Sequence, residues 1–597
     1  VNQLGWQQLR FLMVGSMSLL PGLVAEVVWG SIQPEGVATT KVSVPLRKAA
    51  NPPGERLWRS QLPPTQDVFP TQERDRLPET VPRLPPLEDL LPEMDPQRDS
   101  PSPSHIPDTI TVTKFKFEGN TAYSDGELQE ELNNFLDTPL TFADLLRARS
   151  AITDKYVKAG YITTGAYIPP QTIEENTVTI HIIEGRLSEI EIEGTGHLQP
   201  SYIRSRLRAA TDQPLHQERL LEALQLLLLD PLIENISAEL SAGTKPGTSL
   251  LSVDVEPANP WQVQANLNNG QSPSVGSFSQ ETQLVNRNLT GNGDRLELNY
   301  TRTDGSNNID ASYSIPINAR NSTIRLRASL EEGNIIEEPF DRLDIKAETQ
   351  TYELTFEQPL IETPNREFLV GLSAAHERSF TYLLDESFPL SAAASDEGIT
   401  KLTTARFFQE WTQRGEKFIF AARSEFRFGV DWLGATDNEN LPDSEFFAWH
   451  TQLQWLRSLA EDTLLLVRSD IQLAADPLLS SERFGVGGFN SVRGYREDTL
   501  LTDSGILVSA EVQVPVVRFS ESSILQVVPF FDIGTGWNVD ADHPDPSTLV
   551  GTGLGLRWET NGLIGRVDWG IPLVDTDREK DSLQENGIYF SLQWNPF

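Results

Sequence analysis

Residues 418–428 read Phe-Ile-Phe-Ala-Ala-Arg-Ser-Glu-Phe-Arg-Phe. In an extended chain, Phe418, Phe420, Ala422, Phe426 and Phe428 fall on one face, and Arg423, Glu425 and Arg427 on the other. Charges at every second position are intolerable toward lipid but ordinary toward an aqueous lumen, so this stretch reads as a strand with lipid on one side and water on the other. The pattern recurs. Leu296, Leu298 and Tyr300 oppose Arg295, Glu297 and Asn299, and Val508, Ala510, Val512 and Val514 oppose Ser509, Glu511 and Gln513. After Trp261, about sixteen such segments follow one another between clusters of Asn, Asp, Gly and Ser. An even number allows an antiparallel sheet to close with no free edge. The expected fold is therefore an all-β transmembrane barrel of about sixteen antiparallel strands, wide enough to need a plug or to conduct.

Composition narrows the function. The chain has 597 residues, a formal charge of -37 and no cysteine. Such acidity argues against nucleic acid as a partner, because binding phosphate needs a basic face. The missing cysteines exclude disulfides, thiolate catalysis and cysteine-bound zinc. The seven histidines are scattered, with no H-x-x-x-H spacing, so no metal site is expected. Gly551-Thr552-Gly553-Leu554-Gly555 looks like a nucleotide loop but lies within an alternating strand and opens no helix, so it reads as a small-residue lumen face. No cofactor and no catalytic dyad emerge, and the chain does not read as an enzyme.

The apolar run from Phe11 to Val28 follows Arg10 and makes residues 1–25 a secretory signal peptide, with a single membrane anchor as the alternative. Residues 26–107 are rich in proline and charge and read as an extended linker that could hold a plug segment. Folded texture begins near Ile110. Residues 108–185 give the order strand, helix, helix, strand, strand: Ile110 to Phe117, Ser124 to Leu136, Thr141 to Ala159, Tyr161 to Tyr167 and Val178 to Ile183. Residues 186–258 repeat that order with other side chains, which indicates a repeat architecture. Residues 259–597 form the barrel.

One connection in the barrel is far too long for a hairpin. It is the stretch 477–501, PLLSSERFGVGGFNSVRGYREDTLL, between the eleventh and twelfth segments. With Phe489, Val492 and Tyr495 it is too apolar to be simply disordered, so it is expected to fold inward and to bring Arg493 to a partner.

These features resemble a known family. The unit with Gly160-Tyr161-Ile162-Thr163 before Pro169-Pro170-Gln171 and Glu184-Gly185-Arg186 is similar to a polypeptide-transport-associated (POTRA) domain of the two-partner secretion transporters, a branch of the Omp85 superfamily. Val492-Arg493-Gly494-Tyr495 resembles that superfamily's VRGY motif on the sixth extracellular loop, and Phe530-Phe531-Asp532-Ile533-Gly534 resembles its Phe-x-Asp-x-Gly partner on the barrel wall. The phase agrees independently, since lipid-facing Phe531 and Ile533 turn Phe530, Asp532 and Gly534 toward the lumen. The last strand puts Ile588, Phe590, Leu592 and Trp594 on one face and stops at Phe597, similar to the C-terminal signal read by the outer-membrane barrel assembly machinery.

The resemblance implies an outer-membrane transporter of a Gram-negative-type bacterium with its repeats in the periplasm. Its partners would be outer-membrane lipid and one dedicated, unfolded secreted polypeptide of the adhesin or hemolysin kind. No nucleotide motif is present, so secretion would run without ATP. The repeats would capture the substrate, with Tyr161, Ile162, Thr163 and Tyr167 on a candidate edge strand, and the barrel would conduct it. Two roles stay open for Arg493 and Asp532: fixing the loop throughout transport, or releasing it. The alternative function is an Omp85-type factor that inserts other barrels into the membrane.

Overall fold

The computed structural model describes residues 42–46 and 109–596, apart from 212–213, 392–393, 439–441, 521 and 577–581. The signal peptide, nearly all of the proline-rich linker with any plug, and Phe597 lie outside the described residues.

Strand β1 (Val42–Leu46) is a correction to the linker reading, since it belongs to a folded sheet. The first repeat then runs through β2 (Ile110–Thr111), β3 (Lys114–Glu118), helix Asp125–Glu131, β4 (Pro139–Leu140), helix Phe142–Lys158, β5 (Gly165–Tyr167) and β6 (Thr177–Ile183). Both helices begin with a reciprocal cap. The Ser124 hydroxyl accepts the Glu127 N–H while the Glu127 carboxylate accepts that of Ser124, and Thr141 and Asp144 repeat the device. The first helix is shorter than its apolar pattern predicts. It stops at Glu131, and a tighter turn, Asn133–Phe135, follows.

Two expected strands are also corrected. Ile110 to Phe117 divides, because β2 pairs with β4 whereas β3 pairs in parallel with β6. Of Tyr161 to Tyr167 only Gly165–Tyr167 is strand. Tyr161, Ile162 and Thr163 form a turn in which the Tyr161 N–H returns to the Tyr156 carbonyl at 3.0 Å. The Tyr161 ring packs edge-on against Tyr123, Tyr156 and His216, so aromatic packing overrides the local strand preference.

The second repeat has the same topology: β7 (Arg186–Glu193), helices Pro200–Ala210 and Gln217–Leu229, β8 (Ile233–Ala242) and β9 (Thr248–Pro257). Each repeat packs its helices on one face of its sheet over an apolar core, one around Phe115, Leu128, Ile152 and Ile180, the other around Ile203, Leu207, Leu224 and Val253. The sheets run β3-β6-β5 and β7-β9-β8, and in the second β1 is added antiparallel to β8. The edge corresponding to β8 in the first repeat, β5, carries no such strand among the described residues.

The barrel wall follows in sequence. Its first half is β10 (Trp261–Asn268), β11 (Ser279–Asn286), β12 (Arg295–Arg302), β13 (Ser306–Pro316), β14 (Thr323–Asn334), β15 (Ile345–Thr363), β16 (Arg366–Leu383) and, past the two-residue β17 (Glu386–Ser387), β18 (Ile399–Arg414). The second half is β19 (Phe418–Gly429), β20 (Phe447–Ala460), β21 (Thr463–Ala474), then, past β22 (Phe484–Val486) and β23 (Leu500–Thr502) inside the long loop, β24 (Ser504–Ser520), β25 (Ser523–Trp537), β26 (Thr548–Thr560), β27 (Leu563–Pro572) and β28 (Ile588–Trp594). Among the described residues sixteen strands therefore form the closed wall. Closure joins β28 to β10 through four residue pairs, Ala265–Asn268 against Trp594–Ser591. Leu372, Phe531, Trp569 and Trp594 are exposed on the outer face, whereas Arg423, Glu425, Glu511 and Asp532 are buried inside.

The second repeat meets the wall at its near end. The Gln199 N–H donates to the Gly291 carbonyl at 2.8 Å, and Arg206, its guanidinium 3.4 Å from the Tyr202 ring centre, donates to Asn321 at the β13–β14 turn. Because the chain enters at that end and strands alternate in direction, the long connections lie at the far end, and 475–503 is the sixth of them.

Glu184 ties the first repeat together. Its carboxylate accepts the N–H groups of Thr121 (2.7 Å) and Ala122 (2.8 Å) and the Tyr156 hydroxyl (2.9 Å). Burial pushes its pKa up, but these donors, with the Thr121 hydroxyl, outweigh burial and hold it below the usual carboxylate range. Glu184→Ala should cost about 1–2 kcal/mol by leaving the part-buried Ala122 N–H and Tyr156 hydroxyl without their acceptor, and so speed hydrogen exchange over 177–183 in the full chain roughly 5- to 30-fold. A carboxyl with a lowered folded pKa stabilises above its unfolded value of about 4.3 and loses that contribution as pH falls through the folded value. Wild-type exchange, corrected for intrinsic rates, should therefore rise below about pH 4 and the Glu184→Ala exchange should rise less.

Candidate functional site in the barrel lumen

The long loop does fold inward. It leaves β21 with the Leu478 N–H on the Asp503 carboxylate at 3.0 Å, passes a short turn at Ser480–Glu482, and runs into the ladder of β22 with β23. Phe484, Val486, Val492, Tyr495 and Leu500 then pack against Leu507 and Leu549 of the wall. Hydrophobic burial thus fixes the loop's body, and charge fixes its tip.

Arg493 is 1% exposed and meets Asp532 side-on, Nε to Oδ2 at 2.8 Å and Nη2 to Oδ1 at 2.9 Å. The Arg493 backbone N–H also donates to Asp532 at 3.2 Å. The two sequence motifs are therefore joined by a bidentate, charge-assisted contact. Phe530 contributes its ring face, 3.5 Å from the guanidinium. Two further carboxylates complete the site. Arg493 Nη1 reaches Glu511 at 3.0 Å and Asp568 at 3.1 Å. Arg566 bridges the same pair, 2.7 Å from Glu511 and 2.9 Å from Asp568, and Arg468 stands 3.9 Å from Glu511. Three cations thus face three anions in a closed cluster, which is how buried charge is tolerated.

The loop backbone lies directly on the wall. Gly494 has φ +107°, and a Cβ there would come 2.8 Å from the Pro572 nitrogen. Across from it a Cβ on Gly551 would come 2.1 Å from the Arg493 carbonyl, so Gly551, at the start of the small-residue lumen face read at 551–555, leaves room for the loop backbone. The Tyr495 hydroxyl accepts the Val574 N–H at 3.0 Å and donates to the Val550 carbonyl at 2.9 Å. Tyr589 of the last strand accepts the Gly494 N–H at 2.8 Å and donates to the Tyr495 carbonyl, while its ring stacks on Phe489.

A second ionic contact holds the start of the loop. Glu482 is 4% exposed, its Oε1 is 3.2 Å from Arg406 of β18, and its Oε2 is 3.3 Å from Arg427 of β19. Arg427 also bonds Glu425, which bonds Arg423 in turn. The loop thus presents a carboxylate to an arginine-rich wall and, eleven residues later, an arginine to a carboxylate-rich wall.

Glu482, Glu511, Asp568, Arg566, Arg468 and Tyr589 were not among the expected site residues. The lumen phase of Glu511 was legible in the alternation of β24, but nothing in spacing shows which wall residues from three separate strands converge on one guanidinium. Val492, Arg493, Gly494, Tyr495, Phe530, Asp532 and Gly534 are brought together as the motifs imply. Of the edge-strand residues, Tyr167 lies on β5, half exposed at the repeat's free edge, and Tyr161, Ile162 and Thr163 lie in the turn before it. Phe590 and Trp594 lie on β28, with Trp594 outward and exposed.

The loop packs on β18, β19 and β24–β28, and its Arg496 reaches Glu337 of the β14–β15 connection at 2.6 Å. A cavity of about 1510 Å³ remains, lined mainly by β10–β16 and also by Glu410, Gln454, Glu559 and Gln593 of later strands, and bounded at the near end by Tyr202, Arg206 and Leu227 of the second repeat. Gln264, Glu281, Glu297, Arg325 and Glu353 line it, giving a polar wall.

Residues 247–558, just over half of the chain, match the family described as haemolysin secretion/activation protein ShlB/FhaC/HecB, and residues 110–185 match the ShlB-type POTRA domain. The chain is 23% identical to the heme/hemopexin transporter protein HuxB of Haemophilus influenzae over 454 residues, 72% of this chain and 76% of that one. It is 22% identical to the outer membrane transporter CdiB of Escherichia coli over 489 residues, 78% and 80% of the two chains. The solved structure of CdiB from Escherichia coli superposes with a TM-score of 0.64 at 20% identity, covering 92% of this chain and 99% of that one. Barrel and repeats agree with these matches: the chain belongs to the ShlB/FhaC/HecB family, the two-partner secretion transporters of the outer membrane.

Proposed function

We propose that this chain passes one dedicated, unfolded polypeptide from the periplasm to the cell surface, and that the sixth loop is the element that yields to it. The observation that carries this reading is the divided lumen: a loop held in place by ion pairs to the wall, and a polar cavity beside it that reaches the second repeat at the near end. An incoming chain would add as a strand to β5, whose edge is open among the described residues, since main-chain hydrogen bonds read no particular sequence. It would continue past Arg206 into the cavity, where polar side chains can exchange hydrogen bonds with a hydrated backbone. Folding outside would make retreat unfavourable and supply the drive without ATP. Only the class of cargo, an extended polypeptide, is proposed.

Ionic contacts suit a part that must stay put and then move. They are strong while desolvated and lose most of their strength once water enters, because the effective dielectric rises. Two contacts of opposite polarity also specify a single seat for the loop, since neither anchor can settle on the other's wall.

Removing the Arg493 side chain should weaken the seated loop by about 3–5 kcal/mol, as expected for breaking a buried ion cluster. Purified Arg493→Ala in planar bilayers should show larger and longer openings than wild type, and Arg493→Lys should restore little, lacking the two-pronged fork. Glu482→Gln should shift conductance in the same direction by less, and the double variant should exceed either single change. Normal assembly of Arg493→Ala with wild-type conductance and secretion would reduce the cluster to a static brace. Proteomic comparison of medium and outer membrane, with the gene intact and deleted, tests the function itself. Loss of one large secreted polypeptide is expected, whereas a broad fall in other barrels would assign the chain to barrel assembly instead.

A further inference from the structure

On the lipid side of the wall the charge pattern breaks its own rule. Leu372 of β16 and Phe407 of β18 are exposed outward, so the same phase turns His376 and Arg378, and Thr403 and Lys401, out of the barrel. Register sets Arg378 directly opposite Lys401. Like charges in that relation repel. Lumen arginines such as Arg325, Arg327 and Arg557 each meet a carboxylate, but neither Arg378 nor Lys401 has an ion pair among the described residues. Arg378 Nε is buried without a hydrogen-bond partner, and the guanidinium is 5.5 Å from the Phe380 ring centre. In a chain of charge -37 an unneutralised cationic pair facing the membrane calls for an anion from outside the protein.

Just toward the membrane from this pair lies an apolar groove of about 550 Å³. Small side chains, Ala311, Ala328 and Ala374, make its floor, and Leu326, Leu354 and Trp432 rise around it. Ala311 and Ala328 are cross-strand partners, so the hollow is a property of the wall itself. Trp432 and Leu433 are 64% and 73% exposed, on a bulge where Leu433 and Gly434 take φ of +58° and +70°. On the outward face of β15 and β16, Tyr352 pairs with His376, Arg378 and Lys401 stand one row farther toward the extracellular end, and Phe380 and Tyr382 follow beyond Arg378. That is the level of lipid headgroups in the outer leaflet. Glu348, a further row out, is opposite Phe380 rather than Arg378.

We infer that Arg378 and Lys401, with the alanine-floored groove beneath them, form a binding site for a phosphorylated glycolipid of the outer leaflet. A phosphate group would sit on the basic pair, accepting charge-assisted hydrogen bonds, and an acyl chain would fill the groove against Trp432. The inference rests on the outer-membrane placement given above.

The test uses the full chain in detergent, stripped of lipid and titrated under native mass spectrometry with bis-phosphorylated lipid A, its dephosphorylated form, or phosphatidylglycerol. Wild type should retain lipid A at least about tenfold more tightly than the other two, and Arg378→Gln/Lys401→Gln should lose that preference. Ala328→Phe, which fills the groove but leaves the charges, should weaken retention of all acylated probes. Heat-modifiable migration on gels confirms that each variant has a closed barrel. Equal retention of phosphatidylglycerol, or unchanged lipid A binding by a folded double variant, would overturn the site alone. Absence of the chain from the outer-membrane fraction of a density gradient would overturn the placement and the site together.

Discussion

The Arg493 guanidinium cannot stay buried in this lumen without the carboxylates of Asp532, Glu511 and Asp568. Those carboxylates come from β25, β24 and β27, and the cluster forms only when the wall has closed in register and the loop has folded back to meet it. One ionic site therefore couples local loop geometry to the topology of the whole second half of the barrel. Arg566 and Arg468 set the balance, so that the carboxylates are compensated by the wall as well as by the loop. A barrel with the loop withdrawn would keep two of its three cations, which makes withdrawal unfavourable yet reachable.

The loop's other anchor works with inverted charge. Glu482 meets Arg406 and Arg427, neighbours in a ladder of alternating arginines and glutamates across β18 and β19. Around the anchors, Val486, Val492 and Tyr495 pack as an apolar cluster with Leu507 and Leu549, while the ion pairs set where that packing occurs. The consequence for function is spatial. The seated loop leaves a polar cavity, lined mainly by β10–β16 and partly by later strands, that reaches the second repeat. Contact at the junction, through Gln199 and Arg206, aims that repeat at the opening.

Sheet edges are managed differently at each level. The barrel removes edges by closure, with a short seam of four pairs at β28–β10 supplemented by the Asn269 side chain, which bonds the Phe590 N–H and the Ile588 carbonyl. In the second repeat residues 42–46 cover β8. In the first, β5 remains available beside the exposed ring of Tyr167. An edge left open on a small domain in water is a liability for most proteins and a means of recognition for one that handles extended chains.

Much of this was legible in the order of the residues. Alternation with period two, as at 418–428, fixes which side chains of a strand face lipid, because successive Cβ atoms must point to opposite faces. From that follow the barrel, its strand number and the lumen phase of Asp532, and the two motifs announce a pair before any coordinate does. The first repeat was readable from its capped helices and bounding glycines, since caps are local hydrogen bonds within four residues, and the second from its recurrence of the same element order. Tertiary structure decided what no local rule reaches. Tyr161 left its strand pattern for an aromatic cluster, residues 42–46 left a proline-rich linker for the edge of β8, and Glu511, Asp568 and Glu482 found partners up to 76 positions away. Periodicity is a property of one strand alone, whereas a buried charge is satisfied by whichever wall residues closure brings within reach, and closure depends on the register of every strand at once.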